Sequence, residues 1–409
     1  MWNLNKWRGK SRFTGLWKNN GSCNLSYNAE HRDILIIGGG PAGLSTALHL
    51  AQLAPRLAAN TLVLEKSHYP RPKLCAGGLV VDAEIILQRL GLDVSEIPHL
   101  DAVSAHLVFE GRGLNIRAPK SHVLRIIRRD EFDAWLADKA RQRGLAIQEG
   151  ITVKCITPGE TGVLVETDQG MYRAQVVVGA DGSNSVLRRC VLPDAPLYTA
   201  RSLEVITPPN GNSNHEAKAA YFDFFCIPGG IAGYVWDFPT QVEGQPARCW
   251  GIYDSNLRSD RSRQPLKTTL AEEMAHHGYR FEDYELKGHP IRWFHPRSTF
   301  AIPRMILVGD AAGVDPLFGE GISFALGYGS LAAQTLRDAF SKHDFKFRDY
   351  KQRIILSPMG FALTVRTFIT HILYNLHYPA LQRIFWQRMG WLVKPAARLS
   401  VINWARRSK

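Results

Sequence analysis

The stretch "RDILIIGGGPAGLSTALHL", residues 32–50, decides the fold. Its apolar run, residues 34–37, is short and bounded by a charge and by glycines, the pattern of a strand buried in a parallel sheet. A helix should follow from Pro41. Gly38, Gly40 and Gly43 stand between the two as GxGxxG, where glycines let backbone amides and a helix N-terminus approach a pyrophosphate. Working outward, "NTLVLEK" (residues 60–66) reads as a second strand ending in Glu65, 22 residues after Gly43. A carboxylate there is placed to accept hydrogen bonds from an adenosine ribose. Strand, glycines, helix, strand and acid make one β-α-β unit expected to bind a dinucleotide.

Beyond this unit, residues 104–127 read as strands with a glycine turn and "RRDEFDAWLADKARQRG" as a helix ending at Gly144. "VVVGADG" repeats the strand-into-glycine pattern. From 201 to 290 the chain turns to aromatic strands, "KAAYFDFFC", "GGIAGYVWDFP" and "ARCWGIYD", followed by a helix near 265–278; this block looks like a separate sheet. "RMILVGDAAG" restores the buried-strand pattern before a helical segment. Only one GxGxxG has a β-α-β setting, so no second nucleotide-binding unit is expected.

The 409 residues are 45% hydrophobic and 21% charged, ordinary for a globular chain. Six cysteines without CxxC pairs indicate neither a disulfide framework nor a metal cradle, and no metal site is expected. The net charge of +13 is uneven. The first thirty residues hold five Lys or Arg against Glu30 alone, and residues 350–409 hold ten basic residues and no acid, so the middle is nearly neutral. Both basic ends are rich in aromatics, Trp2, Trp7, Phe13 and Trp17 in one, Phe361, Phe368, Tyr374, Tyr378, Phe385, Trp386, Trp391 and Trp404 in the other. They read as helices on an anionic membrane surface; the plainer alternative is a helical cap with a solvated basic face. Nucleic acid is not the expected partner. No apolar run reaches the roughly 18 residues of a span, and "MGFALTV" is cut by Arg366. The N-terminal segment lacks a signal peptide's apolar centre, so the expected location is cytoplasmic and peripheral to a membrane.

"ILVGDAAGVDPLFGEGISFAL", residues 306–326, places Asp310 after a strand and Gly321 at a helix start. This resembles the ribityl-binding segment of flavoproteins built like aromatic hydroxylases, in which the Asp holds the ribityl chain and the helix N-terminus faces the flavin ring. "VVVGADGSNSVLRR" resembles the Asp-Gly fingerprint of that superfamily, at Asp181 and Gly182. "RRDEFDAWL" resembles its Arg-x-x-Phe-Asp helix start, at Arg129, Phe132 and Asp133. The resemblance implies FAD as cofactor, with an external donor, NADPH or reduced ferredoxin, docking transiently.

Within that superfamily, "PRPKLCAGGL" (residues 70–79) and "GYVWDFP" (residues 233–239) look like the geranylgeranyl reductase family. Lys73, Cys75, Gly77 and Gly78 match its Lys-x-Cys-Gly-Gly-Gly segment, with Ala76 replacing one glycine. Tyr234, Trp236, Phe238 and Pro239 match its Pro-x-x-Tyr-x-Trp-x-Phe-Pro motif, with Ile231 where the leading proline is expected. The implied fold is α/β (α+β overall): a Rossmann-like FAD-binding domain, an inserted mostly antiparallel substrate-domain sheet and a C-terminal helical region. The expected division is a basic extension over 1–30, FAD-binding parts over 31–200 and 290–345, substrate sheet over 201–289 with about 100–125, and a basic helical region over 346–409.

Carried onto this sequence, the resemblance implies cofactor contacts from Gly38, Gly40, Ala42 and Gly43, and from Glu65 and Lys66. Further contacts fall on Cys75, Ala76 and Gly78, on Arg129, Val153, Asp181 and Gly182, and on Asp310, Gly321 and Ile322. The implied activity is saturation of C=C bonds in an isoprenoid chain on a lipid, pigment, quinone or diphosphate. Cys75, Tyr234 and Trp236 are the catalytic candidates. A thiol near the flavin can donate the proton an alkene needs, with Lys73 and Arg71 lowering its pKa if they lie close; the bland alternative is a small inert Cys. Tyr234 and Trp236 alternate with Val235 on one strand, so they share a face and either line a prenyl tunnel or form core. A monooxygenase or halogenase of the same build, or an electron carrier to a membrane quinone, are the competing functions. Against the last, no cysteine follows Cys249 to hold an iron–sulfur cluster.

Overall fold

The computed structural model describes residues 29–118, 121–192, 198–210, 215–257, 263–391 and 403–408. Nearly all of the basic N-terminal extension, and Lys394, Arg398 and Lys409, lie outside them. In one sheet Met305–Leu307, Met171–Gly179, Glu30–Ile37, Thr61–Leu64 and Ala146–Gln148 run parallel, side by side in that order. Ala301–Ile302 adds an antiparallel edge, and Val153–Pro158 with Val163–Thr167 folds as a hairpin onto Met171–Gly179. The central strands read as unbroken apolar runs because both faces are covered; residues 34–37 and 61–64 are all buried. The Pro41–Leu53 helix packs against the 21-residue helix Ile322–Lys342. Close approach is possible there because Gly329 has no side chain: an added Cβ would lie 2.4 Å from Ser45 Oγ, whose hydroxyl donates to Leu326 O at 2.8 Å.

The second sheet runs Lys287–Arg292, Thr199–Thr207, Gln245–Asp254, Gly233–Val242, Ala219–Asp223, Ser104–Phe109, Arg112–Arg117. All pairs are antiparallel except Ala219–Asp223 with Ser104–Phe109. Alternation sends successive side chains into different cores. Val205, Val235, Trp250 and Ile252 lie on one face with the Leu266–His276 helix, and Tyr234, Trp236, Phe238, Cys249 and Tyr253 on the other. A small sheet, Gly78–Leu79, Leu124–Ile127 and His99–Ala102, sits between cores: Ile126 belongs to the aromatic cluster and Ile127 to the core of the parallel sheet.

The C-terminal region does two things. Tyr350–Leu356 and Pro358–Leu373 are bent by 73° at Ser357, whose Oγ accepts the Gly360 N–H at 3.0 Å and caps the second helix. Leu373, Tyr374 and Trp386 then enter the aromatic cluster. Further on, Asp82 accepts N–H bonds from Asn403 (3.0 Å) and Ala405 (2.7 Å), which fastens buried Trp404 and Ala405 to the Val81–Arg89 helix.

The basic residues of this tail do not form a uniformly solvated set: Arg366 is 3% exposed and donates to Asp315 Oδ2 at 2.6 Å and to Glu320 Oε2 at 3.3 Å. Arg353 pairs with Asp338 and Asp349, and Arg383 with Glu110, so acids earlier in the chain neutralise them. Removing one partner of a buried pair leaves a charge without compensation. Arg366→Met should therefore destabilise the protein by about 3–5 kcal/mol, read by denaturant unfolding. Arg388→Met, at an exposed position, should change stability by less than about 0.5 kcal/mol.

Candidate active site

The cofactor candidates follow the C-terminal ends of parallel strands: the glycine turn after Glu30–Ile37, Glu65 after Thr61–Leu64, Asp181 after Met171–Gly179, and Asp310 after Met305–Leu307. That edge is where open α/β sheets bind ligands. Gly38 has φ +106°, and a Cβ there would sit 2.3 Å from Ala180 O; at Gly43 it would sit 2.0 Å from Gly38 O. These two glycines are fixed by backbone contact. Gly40 differs: an added Cβ meets only Arg71 Nη2, at 3.5 Å, so space remains in front of the helix N-terminus. A pyrophosphate fits that cradle, with Arg71 as a cation beside it.

Glu65 is buried and accepts the Gly39 N–H at 2.8 Å and the Ser67 N–H at 3.0 Å. Val153 follows Ile151, whose N–H donates to Glu65 O at 3.0 Å; its side chain is core, so only its backbone can face a ligand. Lys66 is exposed, and Ala42 is buried in the first helix. Arg129 clamps Asp133 with two bonds of 2.9 Å, and Arg71 Nη2 reaches the same carboxylate at 3.0 Å. Arg71 is the cradle residue that the sequence reading left out of its cofactor contacts; its presence within the matched "PRPKLC" segment was the available signal.

At the other end, Asp310 Oδ2 accepts the Ser183 hydroxyl at 3.0 Å, and a Cβ on Gly321 would lie 3.5 Å from Asp310 Oδ1. Gly321 caps the Ile322–Lys342 helix, and Ile322 itself is buried. Asp181 works locally: its Oδ2 accepts the N–H groups of Val186 (2.6 Å) and Leu187 (3.3 Å) at the start of the Val186–Val191 helix. Its Oδ1 is buried without a partner, and burial raises its pKa. Gly182 has φ +76° with nothing within 4 Å of an added Cβ. The open space at Gly182 and the orphaned carboxyl oxygen of Asp181 along this edge fit the ribityl and flavin end of FAD.

The loop before helix Ile322–Lys342 is held from several sides. Asp315 accepts the N–H groups of Leu317 (2.8 Å) and Phe318 (3.1 Å) in addition to Arg366. Tyr253 donates to Pro316 O at 2.8 Å, Tyr374 to Leu317 O, and Tyr234 to Phe318 O at 2.6 Å. The Tyr234 hydroxyl is thus engaged by the loop, and the Trp236 N–H donates to Cys249 Sγ at 3.5 Å, which leaves ring faces as what these two present. Burial pushes Glu320 up to about 7 against the lowering effect of Arg366.

Cys75 lies at the junction of the two large cores: it packs against the core of the parallel sheet, while Ala76 packs against the aromatic cluster. Gly77, φ +77°, holds the turn against Ile127, whose N–H donates to Gly77 O at 3.0 Å. A Cβ on Gly78 would lie 3.5 Å from the Phe238 ring. The expectation that Lys73 and Arg71 lower the thiol pKa does not hold. Burial raises it, and Arg129 is the cation that opposes burial most. Arg71 is engaged by Glu65 and Asp133, while Lys73 Nζ contacts His289 Nε2. Burial, then Lys73, holds His289 down at about 4, so the pair carries one charge. The thiol stays protonated at neutral pH, the state a proton donor needs.

Residues 31–327 match the FAD binding domain family. The chain is 27% identical over 343 residues to a digeranylgeranylglycerophospholipid reductase of Thermoplasma acidophilum, covering 77% of this chain and 80% of that one. It superposes on a geranylgeranyl bacteriochlorophyll reductase-like protein of the same organism with a TM-score of 0.73 at 21% identity, over 93% of this chain and 98% of the other. The halogenase PltM shares the fold at a TM-score of 0.65 and 17% identity, over 86% of this chain and 78% of that one. These likenesses and the site define an FAD-dependent oxidoreductase. The chain belongs to the FAD binding domain family.

The cradle gives a direct check. Gly40→Ala should leave the apoprotein's thermal midpoint unchanged, because φ −82° suits any residue, yet weaken FAD binding by about tenfold or more through the lost pyrophosphate seat. Gly43→Ala should instead lower the midpoint, since its Cβ would collide with Gly38 O.

Proposed function

We propose that this oxidoreductase saturates C=C bonds in an isoprenoid chain, with Cys75 delivering the proton. The observation that carries the reading is that the segment bearing the protonated thiol of Cys75 lies against the aromatic cluster, through Ala76 and through Gly78 beside Phe238, with Cys75 close enough to act on Tyr234. Tyr234, Trp236, Phe238, Phe222 and Phe318 lie together, with ring centroids 4.9–6.2 Å apart in successive pairs. Such a surface binds an apolar polyene by area and offers it little competing hydrogen bonding. FAD, bound and reduced, supplies hydride chemistry. The chain's own residues hold the alkene on the aromatic rings, exclude water, and place Cys75 Sγ–H toward the second carbon. Arg129 stabilises the thiolate left behind.

The outer surface of the tail supports a lipid source for that substrate. Phe361, Phe368 and Ile372 form one ridge on the Pro358–Leu373 helix, the first two 52% and 65% exposed, and Trp391 is 76% exposed. Tyr378, Leu381 and Ile384, further along the tail, are exposed as well. The inner face of the same helix carries Leu373 into the aromatic cluster. Among the described residues no single helix is long and apolar enough to cross a membrane. An acid-free, apolar ridge fits peripheral docking on an anionic bilayer.

Two measurements test this reading. Reduced enzyme kept free of oxygen should be reoxidised on adding a prenyl substrate, and Cys75→Ala should retain flavin absorbance while slowing that step roughly 100-fold. Turnover that requires oxygen would instead place the protein with the monooxygenases. Replacing Phe361, Phe368 and Trp391 together by Ser should weaken binding to phosphatidylglycerol vesicles by about tenfold or more with an unchanged thermal midpoint.

A further inference from the structure

The face that the second sheet turns toward the aromatic cluster also carries a carboxyl group. Glu204, on Thr199–Thr207, stands opposite Lys287 on one neighbouring strand and Gly251 on the other. Gly251 in turn stands opposite Trp236. A Cβ on Gly251 would lie 2.1 Å from the Trp236 ring, so the indole lies over the bare glycine, between Gly233–Val242 and the strand that bears Glu204. The Cys249 thiol and the Cys75 peptide N–H lie against the Glu204 carboxyl group. The side chain is 6% exposed, and its Oε2 has no hydrogen-bond partner. The surrounding cations, Arg128 at the start of the neighbouring helix and Lys287 on the adjacent strand, act on it without forming an ion pair. Arg129 acts on Cys75 from the same helix.

A glutamate is rarely buried without a partner, because its charged form loses its hydration. Packing alone gives no reason for one in an apolar row between Lys287 and Trp236. Burial pushes this carboxyl up to about 7, with Cys249, Arg128, Lys287 and the Cys75 amide opposing. Its charge also raises the Cys75 thiol pKa, so the two groups titrate as a coupled pair.

We propose that Glu204 is the proton reservoir behind Cys75, a positioning and relay residue that restores the thiol after each delivery. The inference rests on the alkene-reductase reading above. When the Cys75 Sγ–H bond breaks and a substrate carbon takes the proton, a thiolate remains. The Glu204 O–H bond then breaks, Sγ–H re-forms, and a carboxylate remains, which water reprotonates. No electrons are transferred in either step. The thiolate is the stronger base of the two, since burial holds the thiol pKa above its ordinary value and the carboxyl near 7, so the proton passes from Glu204 to sulfur.

Two readouts need no substrate. In FAD-loaded protein, alkylation of each cysteine by iodoacetamide is followed against pH by peptide mass spectrometry. Glu204→Gln should lower the apparent pKa of Cys75 and speed its alkylation about threefold or more near pH 8.5, because a neighbouring negative charge is gone. Cys226, on the opposite face of the sheet, should be unchanged, and Glu204→Asp should restore the wild-type profile. In the wild-type minus Glu204→Gln difference spectrum, where the bands of Glu320 and Asp223 cancel, a protonated-carboxyl C=O band should titrate with a midpoint of about 7. Superimposable Cys75 profiles, or no such band, overturn the relay. Should Glu204→Gln also expose Cys226, the wild-type minus Glu204→Asp difference spectrum, in which the Glu204 band should be replaced, decides alone. Because neither readout uses substrate, lost coupling overturns the relay without touching the reductase reading, whereas failed flavin reoxidation overturns the reading on which it rests.

Discussion

The buried ion pair between Arg366 and Asp315 is the interaction on which the placement of the other parts depends. Asp315 holds two backbone N–H groups of its own loop and one guanidinium from the C-terminal helix. That loop leads directly into Gly321 and the Ile322–Lys342 helix. Its three carbonyls at 316, 317 and 318 each accept a tyrosine hydroxyl, two from the second sheet and one from the C-terminal region. A single charged contact therefore ties together the flavin edge, the aromatic sheet and the tail. The desolvation cost of such a pair nearly offsets its attraction, so its main effect is on position.

The segment around Cys75 solves a second problem, that of joining a parallel sheet to an antiparallel one without leaving polar backbone stranded. Gly77 and Ile127 exchange backbone contacts across the join, and adjacent side chains, Cys75 and Ala76, turn toward different cores. The thiol is left in dense protein with Arg129 as its nearby cation. Desolvation wins over that cation, which keeps the sulfur protonated. Lys73 is drawn away toward His289, where the uncharged imidazole accepts from the ammonium group.

What was legible in the sequence was local. The glycines, Glu65 and the strand before them lie within 34 residues, and their spacing alone implies the β-α-β geometry. The alternation of Tyr234, Val235 and Trp236 likewise stated which side chains share a face, and the structure puts Val235 in the opposite core. What was not legible depended on pairing across the chain. Arg366 read only as a charge interrupting an apolar run, because Asp315 lies 51 residues earlier. The direction of the Cys75 shift was not legible because it is set by burial, which outweighs the cations around the thiol. Glu204 carried no signal at all: an acid within "SLEVIT" reads as the solvent-facing residue of an edge strand, and only the register with Gly251 and Trp236 shows otherwise.

The same distinction governs the tail. A count of basic residues suggests electrostatic attraction to a surface, yet Arg353, Arg366 and Arg383 are neutralised by acids from earlier parts of the chain. The feature that remains unpartnered is apolar: the ridge of Phe361, Phe368 and Ile372 and the exposed residues further along the tail. Area exposed in this way costs roughly 25 cal/mol per Å² in water, a cost that a membrane relieves irrespective of its charge. On the docking proposed above, the basic residues of the tail outside these three pairs would add attraction to anionic lipid. The helix that presents this ridge outward carries Arg366 and Leu373 inward, so the proposed docking ridge and the anchor of the loop before Gly321 are carried by one helix.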